Sequence, residues 1–419
     1  MMAVPASTRP TTPPNRRQTA PVTDFSFTPL HRLPGTQGRT GVIHTPHGDI
    51  RTPAFIPVGT KATLKTVLPG DAAELGAQAL LANAYHLYLQ PGADVIEDFG
   101  GMAAFMGWNG PTFTDSGGFQ VMSLGVGFKK ILAMEAGVQR DDVIAEGHER
   151  LAHVDDEGVT FKSHIDGSLH RFTPEVSMQV QYAIGADIIF AFDECTTLLN
   201  TRAYQQMSVE RTHRWAQRCM KEHARLQAAH PERPYQALFA VVQGAQYEDL
   251  RRKAARDLQG FDGYGIGGAL EKANLARIVG WVCEELPEDK PRHLLGIGDP
   301  DDIFAAVQAG ADTFDCVTPS RVARNAAVFS QSGRFNIRRA AHRRDPGPID
   351  PGCQCYTCTH HSRAYLHHLF RAKEMLGFTL ATIHNVHFLV TLVDRIRESI
   401  EQGTFERFRD EFLGSYYGA

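Results

Sequence analysis

The chain has 419 residues, of which 42% are hydrophobic and 21% charged, an ordinary globular composition that excludes bulk disorder. Its 43 basic and 47 acidic residues leave a formal charge of −4. That balance argues against coating nucleic acid or acidic membranes by charge alone, while leaving room for a local basic face. Seven cysteines are too few and too odd in number for a disulfide framework, which points to a reducing, cytoplasmic setting.

Residues 1–23, rich in Pro, Thr and Arg, read as a disordered, solvated tail. The pair Arg16-Arg17 is not followed by the apolar run an export signal needs. No stretch is read as the roughly 20 apolar residues of a membrane helix. From 24 to 335, short apolar runs alternate with longer helical patterns, as in βα units. The runs break off at Asp115, Asp193, Gln243, Gly267-Gly268, Gly296 and Asp315. Such spacing suits a (β/α)8 TIM barrel of about 31 residues per unit, with a doubly wound open sheet as the alternative. In a barrel these run ends would ring one mouth; singly, each is equally a turn-former. The stretch near 125–157 reads as an insertion without a clear strand. Residues 336–419 read as a small appended subdomain with C-terminal helices that complete the barrel. Its helices are expected over about 362–377 and 383–412.

Three thiols lie within six residues, Cys353, Cys355 and Cys358. In a reducing compartment such a cluster points to a four-coordinate, structural zinc site. The fourth ligand stays open among His360, His361, His367, His368, His384 and His387. No His-x-Glu precedes a Pro-Cys-x-x-Cys, as a zinc deaminase would require. Arg334, Arg338, Arg339, Arg343 and Arg344 form a basic cluster suited either to phosphate contacts or to a solvated face. Asp115 and Asp315 are two carboxylates at run ends, the pairing that serves bond cleavage at an anomeric carbon.

Several blocks in order resemble the bacterial form of the queuine tRNA-ribosyltransferase (tRNA-guanine transglycosylase) family. They are Ala82 to Leu87, Thr114 to Gln120, Gly158 to His164, Phe192 to Cys195, Val242 to Gly244, Gly267-Gly268, Phe314 to Val317 with Ser320-Arg321, and the cysteine cluster followed by His384. The likeness runs from about 24 to 412. It implies a (β/α)8 barrel with a zinc-bearing subdomain, usually in a homodimer. It further implies exchange of the wobble guanine, position 34, in tRNAs with GUN anticodons (the Asp, Asn, His and Tyr types). The incoming base is a 7-deazaguanine, either 7-aminomethyl-7-deazaguanine or queuine.

Carried over by motif, Asp315 resembles the nucleophile and Asp115 the proton donor and acceptor, with Asn83 placed to hold it. Asp115, Ser116, Gly117, Gly118, Phe119, Asp193, Gln243, Gly268 and Leu295 match the base pocket. Phe119 and Leu295 stand where the family often has Tyr and Met. Gly296, Ile297, Gly298, Asp299, Pro300, Asp301 and Asp302 resemble one RNA-gripping segment. Ser320, Arg321, Val322, Ala323 and Arg324 resemble the other. Cys353, Cys355, Cys358 and His384 match the ligands of one structural Zn2+ per subunit. After the double glycine, Ala269-Leu270-Glu271-Lys272 departs from the family's usual Leu-Ala-Val-Gly-Glu. Two other readings use the same residues: a retaining glycoside hydrolase or nucleosidase, and a non-catalytic tRNA-binding subunit.

Overall fold

The computed structural model describes residues 25–126, 152–268, 270 and 272–418. The expected tail, the greater part of the expected insertion (127–151), and Ala269 and Glu271 lie outside the described residues.

Eight short strands build the centre: β1 (Ala54–Pro57), β2 (Leu80–Ala82), β3 (Thr112–Thr114), β4 (Ile188–Phe190), β5 (Ala237–Val242), β6 (Gly263–Ile266), β7 (Arg292–Leu294) and β8 (Thr313–Cys316). They lie in the order β1-β8-β7-β6-β5-β4-β3-β2. The first and last barrel strands pair in parallel, from Thr313 opposite Ala54 to Cys316 opposite Pro57. A parallel bridge between Val58 and Leu81, with Gly59 N donating to Leu81 O at 2.7 Å, joins β1 to β2. An open doubly wound sheet cannot bring its outer strands together in this way, so the architecture is a TIM barrel.

Side chains fill the barrel interior. Ile56, Leu81, Phe113, Ile188, Phe190, Phe239 and Val241 are all buried there. Space for the aromatic rings comes from β6, where a Cβ on Gly263 would stand 2.4 Å from the Phe239 ring and one on Gly265 2.8 Å from Phe190. Below the barrel, an antiparallel sheet of Ser26–Arg32, Arg39–Thr45 and Gly48–Thr52 adds Phe27, Ile43 and Ile50 to the same core. Arg39 locks this sheet to the start of β8 through a buried two-bond pair with Asp312, at 2.9 and 2.8 Å. Outside the barrel, helices carry ordinary start and stop signals. Helix Pro174–Ile184 begins with Thr173 Oγ1 accepting from Val176 N and ends at left-handed Gly185, as capping chemistry requires.

Three expectations need correction. The stretch near 125–157 does contain a strand, Ala152–Val154, which pairs with Val159–Lys162 in a small antiparallel sheet completed by Leu169–Phe172; its alternation is too short to be seen in sequence. The C-terminal helices run Arg363–Ala372, Met375–Glu401 and Phe405–Tyr417. Left-handed Lys373 and Gly403 (φ 60 and 65) break the pattern where continuous helix was expected. Finally, Met375–Glu401 is long and apolar enough to cross a membrane by length and composition, yet most of it is buried in the protein. Its Arg397 donates to Pro53 O beside β1 at 3.1 Å, and its Asn385 donates to Pro319 O at 3.1 Å beyond β8. The apolarity therefore belongs to a core helix.

Candidate active site

Asp115 leaves the end of β3 and is held from three sides. Its Oδ1 accepts from the backbone N–H of Ala84 at 2.9 Å. Its Oδ2 accepts from Asn83 Nδ2 and, at 2.8 Å, from Gln120 Nε2. Burial pushes this carboxyl up to about 6, and the hydrogen bonds only partly oppose it. The negative charge of Asp315, which follows another strand of the same parallel barrel, adds the smallest part of the rise. A carboxyl poised in that range can both give and take a proton near neutral pH.

Asp315 stands at the end of β8. Its Oδ1 accepts from Gly296 N at 3.0 Å and lies 3.2 Å from His293 Nε2.

A third acid, Asp193, follows β4 and is 6% exposed. Its Oδ1 accepts from Ser116 Oγ at 2.8 Å and its Oδ2 from Gln243 Nε2 at 2.6 Å. Burial raises this carboxyl as well. Gln243, after β5, has its Oε1 buried without a partner among the described residues. Gly268 adopts φ +78, and a Cβ there would fall 2.0 Å from that oxygen. Leu295 is half-buried beside the double glycine, with its Cδ1 3.1 Å from where a Gly267 Cβ would be. Gly117 and Gly118 turn the chain so that Gly118 N meets Ser116 Oγ at 3.1 Å, and Phe119 stands on the rim, 43% exposed. Three carboxylates and an orphaned amide oxygen, gathered at the carboxyl ends of the strands, suit recognition of a flat ligand rich in N–H groups.

The other pole of the barrel holds a cavity of about 230 Å³ lined by His47, Tyr182, Asp187 and Arg233. Its two acids are neutralised by basic partners: Asp187 is engaged by His47 Nδ1 at 2.6 Å and Thr112 N at 2.8 Å, and Glu97 by Arg233.

Cys353, Cys355, Cys358 and His384 form a cluster whose ligand atoms all lie within 4.8 Å of one another. The three Sγ atoms are 3.7, 3.6 and 3.3 Å from His384 Nδ1. A tetrahedral ion with sulfur at about 2.3 Å and nitrogen at about 2.05 Å would separate such ligands by about 3.6 Å. His384 Nε2 bonds Phe329 O at 2.7 Å, the outer contact that leaves Nδ1 free for a metal. The cluster can therefore hold a metal ion, and it ties the cysteine loop to helix Met375–Glu401.

A family model described as Queuine tRNA-ribosyltransferase matches residues 35–418. The chain belongs to the queuine tRNA-ribosyltransferase family. The Queuine tRNA-ribosyltransferase of Pelotomaculum thermopropionicum is 43% identical over 398 residues, covering 94% of this chain and 99% of that protein. The one from Halothermothrix orenii is 44% identical over 397 residues, 94% and 98% of the two chains. That of Desulforudis audaxviator is 46% identical over 385 residues, 91% and 95%.

The family's expected RNA segments occupy the rim around Asp315. Gly296 and Arg321 are exposed, Ile297, Asp299, Asp301, Asp302, Val322 and Arg324 are half-buried, and Gly298, Pro300, Ser320 and Ala323 are buried. Ala323 is fully buried, so it can serve an RNA only by shaping helix Thr318–Arg324. The three aspartates surround Lys272 Nζ at 3.0, 3.8 and 3.2 Å in chain order.

For this queuine tRNA-ribosyltransferase family member, sequence reasoning passed over two side chains at the site. Gln120 closes the Thr114 to Gln120 motif without a role of its own there, yet it holds Asp115. His293 lay in an apolar run, and a lone histidine among strand residues was the available signal.

Proposed function

We propose that this family member exchanges the wobble guanine, position 34, of GUN-anticodon tRNAs for a 7-deazaguanine base, through a ribosyl-aspartyl intermediate. The observation that carries the reading is that a half-buried Asp115, fixed at the end of β3 by Asn83, Ala84 and Gln120, and Asp315, fixed at the end of β8 by Gly296 and His293, both stand at the carboxyl ends of strands of one closed barrel. In the first displacement, a carboxylate oxygen of Asp315 forms a bond to C1′ as the C1′–N9 bond breaks. The bonding pair leaves with guanine, which Asp115 protonates. In the second, Asp115 takes a proton from the incoming base as that base attacks C1′ and frees Asp315. Two displacements at one carbon retain its configuration.

Asp193 is suited to accept the base's ring and amino hydrogens, and the second Nε2 hydrogen of Gln243 with the Gly268 backbone N–H to donate to its carbonyl edge. A base lacking those groups would leave buried polar atoms unpaired, which discriminates strongly. The wobble nucleotide must leave the anticodon stack to enter. Segments 296–302 and 320–324 are suited to grip the loop around it. The cluster Arg334, Arg338, Arg339, Arg343 and Arg344, exposed throughout, suits the tRNA backbone.

Three thiolates and one imidazole favour zinc among biological metals. With all four positions filled by protein, the ion braces the fold and performs no chemistry. A homodimer is supported by the exposed apolar side chains Tyr356, Tyr365, Met375 and Leu376 near the metal cluster, an arrangement suited to burial against a second copy. The sparse thiols and the buried apolar helix support a cytoplasmic enzyme.

The test is Asp315→Ala. Incorporation of radiolabelled guanine into tRNA should vanish, together with the denaturant-resistant RNA adduct. Full activity would remove the proposed nucleophile. Competition between queuine and 7-aminomethyl-7-deazaguanine on a GUN-anticodon tRNA identifies the natural base.

A further inference from the structure

The two oxygens of Asp315 are not equivalent. Oδ1 receives the Gly296 N–H at 3.0 Å and faces His293 Nε2 at 3.2 Å, while Oδ2 takes no hydrogen bond among the described residues. His293 reaches that position from inside the barrel. Its strand partner is Thr313, two residues before Asp315, so alternation sends all three side chains to the same side of the sheet. The ring is fully buried and lies 5.5 Å from Phe113 and 5.4 Å from Phe190. Its Nδ1 is 2.8 Å from Thr313 Oγ1. The tautomer with its proton on Nε2 satisfies both contacts: Thr313 O–H donates to Nδ1, and Nε2–H donates to Asp315.

We propose that His293 is a positioning residue that anchors Asp315 Oδ1 and so assigns Oδ2 as the atom that attacks C1′. The inference rests on the reading of Asp315 as nucleophile. With Oδ1 pinned by two donors, the carboxylate plane is held and one oxygen keeps its lone pairs free for the sugar. In the first displacement the Oδ2–C1′ bond forms and the C1′–N9 bond breaks, the pair departing with the protonated base. Oδ1 then becomes the ester carbonyl. When the second base displaces Asp315, charge returns to the carboxylate, and the two waiting donors stabilise it there.

The experiment compares His293→Leu, which removes the donor, with His293→Gln, whose amide N–H reaches a similar place. Melting temperature and bound zinc serve as folding controls. His293→Leu should slow single-turnover adduct formation and kcat about 10- to 100-fold. KM for tRNA should stay within about twofold, since binding is untouched. His293→Gln should recover a substantial part of that loss. Parental kcat in His293→Leu, or equal losses in both variants, overturns the proposal; if the Leu variant fails to fold, an inactive but folded Gln variant does the same. Asp315→Ala is run alongside. Guanine transfer surviving there defeats the nucleophile itself, whereas its loss beside an unimpaired His293→Leu defeats only the role of His293.

Discussion

Gln243 and Asp193 meet side by side on the barrel mouth, Nε2 to Oδ2 at 2.6 Å, from the ends of neighbouring strands β5 and β4. The bond orients the Gln243 amide, because its N–H must face the carboxylate. Its oxygen is thereby turned into a dry position against Gly268, where no described group satisfies it. An orphaned buried acceptor of this kind costs free energy until a ligand arrives to use the pocket.

Gly268→Ala should therefore damage base recognition selectively. The new Cβ would fall 2.0 Å from Gln243 Oε1 at a backbone φ of +78, a conformation that costs a non-glycine residue roughly 1 kcal/mol or more. KM for guanine should rise at least about tenfold with KM for tRNA little changed. Steady-state kinetics with each substrate varied in turn checks this.

Asp115 should titrate near pH 6, and Asp315→Asn should lower that midpoint by removing a neighbouring negative charge. Carboxyl-labelled NMR reads both values. Because the folded carboxyl holds its proton to higher pH than the unfolded one, its contribution to stability declines as pH rises from about 4 to about 6. Asp115→Asn should lack that decline. Unfolding free energies from urea titrations at pH 4 and pH 7 should show a difference between parent and variant on the order of 2 kcal/mol.

Stripping the metal with a chelator should loosen the cysteine loop from helix Met375–Glu401, since His384 is the strap between them. We expect the melting temperature to fall by roughly 5–15 °C and tRNA affinity to weaken before guanine binding does. Calorimetry and titration of each substrate separate the two effects. Preserved tRNA affinity in metal-free, folded protein would contradict the bracing role.

Arg343→Ala with Arg344→Ala should weaken tRNA binding at low salt. The dependence of affinity on log salt concentration should flatten by up to about 0.9 for each phosphate the two arginines neutralise. Both side chains are exposed, so stability should not change. An unchanged slope would mark the cluster as a solvated face.

How much was legible depended on how local each signal is. β5, Ala237–Val242, stood out as six apolar residues running into Gln243-Gly244. β2 consists of the helix formers Leu80, Leu81 and Ala82, and β1 follows Pro53 and ends in Pro57, so neither showed as a distinct run. Helix Met375–Glu401 was expected to begin eight residues later, because its first turns carry exposed Met375 and Leu376, which blur the helical stripe. His293 showed only as a lone histidine in an apolar run, because its partner oxygen lies on the next strand and strand register is not written in either segment alone.

The order of residues along the chain determined the alternation of strand and helix, the turn chemistry that ends each strand, and the thiol cluster, since each depends on neighbours a few positions apart. Spacing along the chain left open which acids share a mouth and which histidine joins the three cysteines; the family resemblance implied both, tertiary structure brings the groups together, and it alone decided which oxygen of Asp315 stays free. Those outcomes depend on the pairing of β8 with β1 and on a helix folding back 26 residues beyond Cys358. Closure of a ring and the return of a distant helix are cooperative, long-range events, stabilised by burial across the whole barrel.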